Sequence, residues 1–539
     1  MTENSGPDRR RIQVLDTTLR DGAQGEGISF SVNDKFAVME TLVSLGVDYI
    51  EAGNPGSNPK DREFFALFAE RKPGLGASRL CAFGSTRRKD TTPETDPGLR
   101  ALLDTGAETL VIFGKVWLRE VHELLRCRPE ENLAMLEDSI RFLVSHGREA
   151  IFDAEHFFEA FADDADYAVS GLAAAARGGA SVVVLCDTNG ATMPDVVEAA
   201  TAEVIRRLPG IRVGIHCHND CGLAVACSMA AVRAGADHVQ GTFNGIGERC
   251  GNANLSTLIP NLQLKWHCRC LPDDAMPRLT PAARRLAEIA NLHLPNGAPF
   301  VGQSAFTHKA GMHVDGVIKN PTTFEHVPPE SVGNVRRFLM SEISGRTAVL
   351  SVIRRIRPDL DKNAPQVATV LERLKALEHE GYHFEGAEAS LELIVCKELG
   401  LYTPFFQLEK MRIMGEQPVQ GEYPAQAFIK IHVDGETEVT AAEGDGPVNA
   451  MDQALRKALE VFYPELARVQ LTDFKVRVID SAATASKVRV LIETSDGEAV
   501  WTTVGVSTDI LEASWLALVD SLEYRLMRQK LEATGGTNP

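Results

Sequence analysis

Apolar and polar positions follow two periods along the first half of the chain. Short runs rich in β-branched and apolar residues occupy positions 12–16, 47–52, 80–84, 109–113, 150–154, 181–186, 212–218 and 238–242. Longer stretches at 32–45, 131–146 and 221–234 place apolar side chains at helical spacing. The short runs recur about every thirty residues, the length of a strand–helix unit. An open doubly wound sheet would also alternate strand and helix, but eight regular units within about 240 residues favour closure. The pattern predicts an α/β fold, a (β/α)8 TIM barrel that ends near Lys265 inside a first domain of residues 1–278.

From 279 to 404 the pattern turns mainly helical, with a Gly/His-rich insert at 302–316 and a proline-bearing stretch at 321–329. Helices within 350–381 are expected to meet at an Arg357-Pro358 turn, and the region reads as a linker carrying small subdomains. The strand signal then returns at 405–414, 426–433 and 437–443, followed by a helical stretch at 448–462. The same order repeats at 469–479, 487–494, 499–506 and 510–530. Two βββα units predict a C-terminal α+β domain over 405–539, built to pair chains or to hold a ligand between its halves. Glycine at Gly444-Asp445-Gly446-Pro447 and at Gly505 permits close backbone approach before each helix. Ser507 or Thr508 is expected to cap the second helix.

Barrel active sites lie at the C-terminal ends of the strands. Arg20, Asp21, Glu51, Glu155, Asp187-Thr188-Asn189, His216, His218 and Asn244 all fall at or just past predicted strand ends. In a strand, His216 and His218 project from one face. With Asp21 they make a nitrogen and oxygen set suited to a catalytic divalent metal, although a satisfied structural pair is the alternative. Arg20 offers a charged fork to a carboxylate or a developing oxyanion, or else pairs with Asp21 to close the barrel mouth. Cys217 alternates away into packing. Asn219 and Asp220 are expected to orient the histidines, and Glu248-Arg249 either touch substrate or pair with each other. His122, His146, His238 and His326 are read as core or surface residues.

Charge and composition narrow the classes. A net charge of −18 argues against broad nucleic-acid or anionic-membrane binding. No apolar run reaches membrane-spanning length, and the polar stretch 1–11 lacks the apolar core of a signal peptide. The ten cysteines are scattered, and Cys268-Arg269-Cys270 is too close for an ordinary zinc knuckle. Reduced thiols and a cytoplasmic location are the expectation.

Three motifs carry a resemblance. Leu15-Asp16-Thr17-Thr18-Leu19-Arg20-Asp21-Gly22-Ala23-Gln24, His216-Cys217-His218-Asn219-Asp220 and Gly245-Ile246-Gly247-Glu248-Arg249-Cys250-Gly251-Asn252-Ala253 together resemble the family of 2-isopropylmalate, homocitrate and citramalate synthases. Gly53-Asn54-Pro55-Gly56-Ser57-Asn58-Pro59-Lys60-Asp61 and Asp153-Ala154-Glu155-His156-Phe157-Phe158 are similar to its long-form citramalate branch. The resemblance runs over nearly the full chain, and the tail is similar to the family's leucine- or isoleucine-responsive regulatory domain.

The resemblance implies an acyltransferase that joins acetyl-CoA to a 2-oxo acid on a divalent metal (zinc, manganese, magnesium or cobalt). With pyruvate the product would be citramalate, for isoleucine biosynthesis. Another 2-oxo acid would make it a 2-isopropylmalate, homocitrate or specialised alkylmalate synthase. A metal-dependent CoA-thioester lyase is the more distant alternative, disfavoured by the βββα tail. Carried over by position, Asp21, His216 and His218 would be metal ligands, with Asn252 completing or supporting the set. Arg20 would face the keto oxygen, Thr188 and Gln24 would bind substrate, and Glu155 would sit beside the reacting carbons as an orienting or proton-transfer group. Ser304-Ala305-Phe306-Thr307-His308-Lys309-Ala310-Gly311-Met312-His313-Val314-Asp315-Gly316 matches the linker segment whose histidine assists the acetyl-CoA half, often in a neighbouring subunit's barrel. His313 is the position carried over, His308 its rival, and a homodimer is implied. An isoleucine or leucine effector would bind the tail. Two departures bear on this reading: Asn54 stands where the branch commonly has tryptophan, and Phe324 where the family commonly has tyrosine.

Overall fold

The computed structural model describes residues 9–309, 311–338, 346–357, 360, 364–384, 386–416, 424–479, 486–497 and 499–533. The chain divides into two compact units, Met1–Phe306 with Glu325–Arg336, and Thr307–Phe324 with Arg337–Pro539.

The first unit holds eight strands: β1 (Gln13–Asp16), β2 (Tyr49–Glu51), β3 (Arg79–Ser85), β4 (Thr109–Lys115), β5 (Glu149–Glu155), β6 (Val182–Asp187), β7 (Val213–Cys217) and β8 (His238–Gly241). They close into the predicted barrel in sequence order, all neighbours parallel, with β8 returning to β1. Every residue of β6 is buried, as expected of a parallel strand covered on both faces. Leu15, Tyr49, Cys81, Val111, Ile151 and Val184 fill the barrel interior, while Val14, Ile50, Leu110, Phe152 and Leu185 join the larger outer core.

Local chemistry sets the helix ends. The predicted helix at 32–45 forms as Val32–Leu45, with a Ser31–Asp34 capping box at its start and left-handed Gly46 at its end. Pro129–Ser145 starts two residues before its predicted limit because Pro129 suits the first helical position. Ala224–Ala234 starts three residues after its predicted limit. There the Ala224 N–H donates to the Asn219 side chain, and left-handed Gly222 turns the intervening loop. The helix Leu279–Ile289 contributes Leu279, Ala283 and Leu286 to the barrel unit's core.

In the second unit, the helices Gly311–Lys319, Arg346–Ile356, Pro365–Glu380 and Glu388–Glu398 carry the expected mainly helical character. Leu350, Ile353, Val370, Leu374 and Leu391 form one of its cores. Pro358, placed at the predicted turn, lies outside the described residues. Two short strands, β9 (Thr307–His308) and β10 (Arg337–Phe338), pair in parallel.

The tail repeats itself as predicted. β11 (Gln407–Gly415), β12 (Ala425–Val433) and β13 (Glu436–Gly444) form one antiparallel sheet, followed by the helix Pro447–Leu459. β14 (Gln470–Val478), β15 (Val488–Ser495) and β16 (Val500–Ser507) form another, followed by the helix Ile510–Ala533. A Cβ on Gly444 would come within 2.5 Å of Ala450 N, and one on Gly505 within 2.1 Å of Ala513 O. Close approach of helix to strand therefore requires glycine at both junctions. The cap is a correction: Asp509 Oδ1 accepts from the Leu511 N–H, while Ser507 receives only the Asp509 N–H one step earlier. Among the described residues, no helix is long and apolar enough to cross a membrane.

Candidate active site

A cleft of about 440 Å³ opens at the C-terminal ends of the barrel strands. Its lining includes Arg20, Asp21, Gln24, Glu155, Thr188 and both histidines of the His-x-His pair. These seven sequence-predicted residues thus converge on one space, whereas Asn252, Glu51 and Asn244 are not part of its lining. One side chain of Asp21, His216 and His218 each can offer a ligand atom, and these atoms lie within 4.8 Å of one another. Asp21 Oδ2 is the common neighbour, 3.3 Å from His216 Nε2 and 3.7 Å from His218 Nε2.

The donor set fits a divalent cation. His216 Nδ1 bonds the Gln240 carbonyl at 2.9 Å, which turns Nε2 toward Asp21, and the Gln240 amide donates to Asp153. A ring nitrogen fixed from behind in this way is the usual support of a metal-binding histidine. Burial and the adjacent His216 push His218 down to about 4, so its ring is neutral with a lone pair to give. Asn252 faces His218 across a bridge between β7's extension and the loop after β8, and its buried Oδ1 has no hydrogen-bond partner. An orphaned oxygen beside the triad suits a fourth or supporting ligand.

Arg20 is held from three sides. Its Nε donates to Glu51 at 2.6 Å, one terminal nitrogen reaches Asp21 at 3.1 Å, and its guanidinium carbon lies 3.8 Å from the centroid of the Phe83 ring. Phe83 in turn stacks on Phe113. Burial opposes the charge on Arg20, but Glu51, Asp21 and Asp153 together hold it firmly protonated. Glu51 is fully buried, and that burial pushes its carboxyl up to about 7 against the pull of Arg20.

On the opposite wall, Thr188 Oγ1 accepts from the His156 N–H at 2.8 Å, leaving its hydroxyl proton for another acceptor. Glu155 forms an ion pair with Lys115. Asn219 and Asp220 do not orient the histidines: Asn219 accepts from Ala224, and Asp220 pairs with Arg249 at 2.8 Å. Arg249 also donates to the Thr188 carbonyl, so the Glu248-Arg249 segment clamps the rim. Asn54 lines the cleft and spends its side-chain oxygen on the Gly56 N–H. Its own N–H donates to Asp61, which forms a buried ion pair with Lys35.

His313 and His308 belong to the second unit. His313 stacks on Phe324, ring centroids 4.2 Å apart, and His308 lies near Phe338. His238 sits fully buried at the start of β8, where burial pushes it down to about 3 and keeps it neutral. Sequence reasoning missed Gln240, Asp153 and the anchoring role of Glu51. Their signal was a polar residue within a strand or at its end and, for Asp153, its place in the 153–158 motif.

Three families match successive stretches of the chain. Residues 11–271 match the HMGL-like family, 300–382 the homocitrate synthase post-HMGL domain-like family, and 385–526 the LeuA allosteric (dimerisation) domain. The (R)-citramalate synthase of Aquifex aeolicus is 45% identical over 524 residues, covering 97% of this chain and 99% of that protein. That of Synechocystis is 48% identical over 540 residues, 98% of each chain. The chain belongs to the (R)-citramalate synthase family. By contrast, the probable 2-isopropylmalate synthase of Methanopyrus kandleri is 32% identical over 525 residues, 96% of this chain and 99% of that one. Membership in this family selects a synthase over the lyase alternative.

Proposed function

We propose that the chain condenses acetyl-CoA with pyruvate and hydrolyses the thioester, releasing (R)-citramalate and CoA. This reaction opens a threonine-independent route to isoleucine. One observation carries the reading: Arg20, Asp21, Thr188, His216 and His218 surround a single cleft in a chain alike over its full length to (R)-citramalate synthases.

Asp21, His216 and His218, with Asn252 beside them, would hold a divalent cation, which when bound supplies Lewis acidity toward the keto group. The donor set accepts zinc, manganese, cobalt or magnesium. Arg20 keeps a fixed positive charge where negative charge develops on the keto oxygen. Thr188 donates a hydrogen bond from its hydroxyl to the pyruvate carboxylate, and Gln24 contacts substrate from the β1 loop. Glu155 stands beside the reacting carbons as an orienting or proton-transfer group. His313 assists removal of the acetyl methyl proton. Residues 1–278 form the catalytic barrel domain, 279–404 the linker that carries His313, and 405–539 pair two chains and bind the effector.

Purified protein is expected to release CoA from acetyl-CoA with pyruvate in preference to 2-oxoisovalerate or 2-oxoglutarate. Added methyl groups in an apolar pocket are worth about 1–3 kcal/mol each, so kcat/KM should favour pyruvate by about tenfold or more over its branched homologue. A faster rate with 2-oxoisovalerate would remove the pyruvate assignment and leave the condensation chemistry standing.

The effector makes a separate expectation. Isoleucine or leucine should change the rate without simple competition against pyruvate, and a chain ending after Leu401 should lose that response. A truncated enzyme that still responds would place the effector outside 405–539.

A further inference from the structure

Behind Glu155 lies a connected group of charged side chains that the reaction described above does not use. Lys115 ends β4 in direct register with Glu155 at the end of β5. Neighbouring strands place such partners side by side, and Lys115 Nζ lies 2.6 Å from Glu155 Oε2. On its other side Nζ donates to Glu120 Oε1 at 2.8 Å. Glu120 is buried on the first turn after β4. The same Glu120 oxygen is 3.7 Å from His156 Nε2. His156 directly follows β5 in the left-handed conformation (φ 55°), and its backbone N–H reaches Thr188. One cluster therefore touches two cleft residues on adjacent strands: Glu155 through Lys115, and Thr188 through the His156 backbone.

The charges explain the arrangement. Burial alone would lower the Lys115 pKa, but Glu155 and Glu120 outweigh it and raise it, so the ammonium stays protonated. A carboxylate held against a fixed ammonium has little freedom to rotate. Two anions around one cation also keep the lysine itself from leaning to either side. Lys115 is not among the residues lining the cleft, so any effect it has on substrate passes through Glu155.

Resting on the condensation reading above, we propose that Lys115 is a positioning residue for this reaction, fixing the Glu155 carboxylate at the cleft wall with Glu120 as its counter-anchor. Glu155 then acts by orientation: it presents a fixed negative charge to the reacting carbons, and proton removal falls to another group.

Full-length Lys115→Met and Lys115→Arg enzymes, assayed by CoA release beside wild type, test this. Lys115→Met is expected to lose about a hundredfold in kcat, the usual cost of a catalytic group misplaced by ~1 Å. The KM for pyruvate should stay unchanged, because Arg20 and Thr188 remain in place. Lys115→Arg, which keeps the charge, should recover most of the rate. Full kcat in Lys115→Met, or a KM that rises in step with the fall in kcat, overturns the proposal. Should the methionine variant fail to fold, Glu120→Gln decides: lower kcat at unchanged KM supports the role, and unchanged kcat overturns it. An inactive wild type would instead overturn the condensation reading itself, a result no variant can mimic.

Discussion

An Asp21→Ala enzyme is expected to lose CoA release by about a thousandfold or more, with no added divalent cation restoring it. Asp21 Oδ2 is the atom that His216, His218 and Arg20 all approach, at 3.3, 3.7 and 3.1 Å. Removing it deletes one donor of the triad and one of the two acceptors that hold Arg20. Lewis-acid assistance is worth several kcal/mol, and each 1.36 kcal/mol is a factor of ten in rate. Chelation of the wild-type enzyme should give a comparable loss, reversed by adding back zinc, manganese, cobalt or magnesium. Gln240→Leu provides the graded control. It removes the bond that aims His216, together with the Gln240 bond to Asp153, and leaves the three donors in place, so metal affinity should fall about 10- to 100-fold and saturating metal should recover most of the rate. Steady-state rates across a metal titration, with metal content measured by mass spectrometry, separate these outcomes. An Asp21→Ala enzyme that binds metal and turns over normally would remove Asp21 from the site.

The barrel and the two βββα repeats were legible because their signals are periodic: eight apolar runs at regular spacing, and a doubled order of strands and helix. Asp21, His216 and His218 were legible because strand ends converge at a barrel mouth, whatever lies between them in sequence. What stayed hidden depends on direction inside the barrel. Gln240 and Asp153 are polar residues within buried strands, and only the closed fold shows that they meet each other behind His216. Glu51 looked like one more polar strand end until its burial and its bond to Arg20 gave it a task. Asn219 and Asp220 misled because adjacency in sequence suggested contact with the histidines, whereas the turn after β7 carries them to Ala224 and Arg249.

Lys115 was missed for a more specific reason. The apolar run that predicts β4 covers 109–113 and stops before Gly114 and Lys115. In the fold, a Cβ at Gly114 would lie 2.4 Å from Leu136 and 2.9 Å from Phe152. The glycine is there for helix-to-strand packing, and the strand continues through it to pair Lys115 with Glu155.

Arg20→Lys should lower kcat by about 10²- to 10³-fold, the usual cost of removing one preorganised donor from a developing oxyanion. Lysine keeps the charge but not the fork. Arg20 bonds Glu51 through Nε and Asp21 through a terminal nitrogen, using two of its five N–H donors and leaving three for the cleft. An ammonium in the same place is a compact, strongly hydrated point charge that cannot span Glu51, Asp21 and a keto oxygen together. It also loses the flat contact with Phe83. The loss should fall on kcat more than on the KM for pyruvate, because the charge being stabilised appears only as the new carbon–carbon bond forms. Glu51→Gln, which retains an acceptor for Arg20 but removes the charge behind it, should cost less. Both variants should keep their full metal content, since neither side chain is a donor of the triad. That difference separates the two sources of charge stabilisation: Asp21→Ala loses rate together with metal, and Arg20→Lys loses rate with metal in place. A rise in KM at constant kcat in Arg20→Lys would make Arg20 a ground-state binder of the carboxylate and leave the keto oxygen to the metal triad alone.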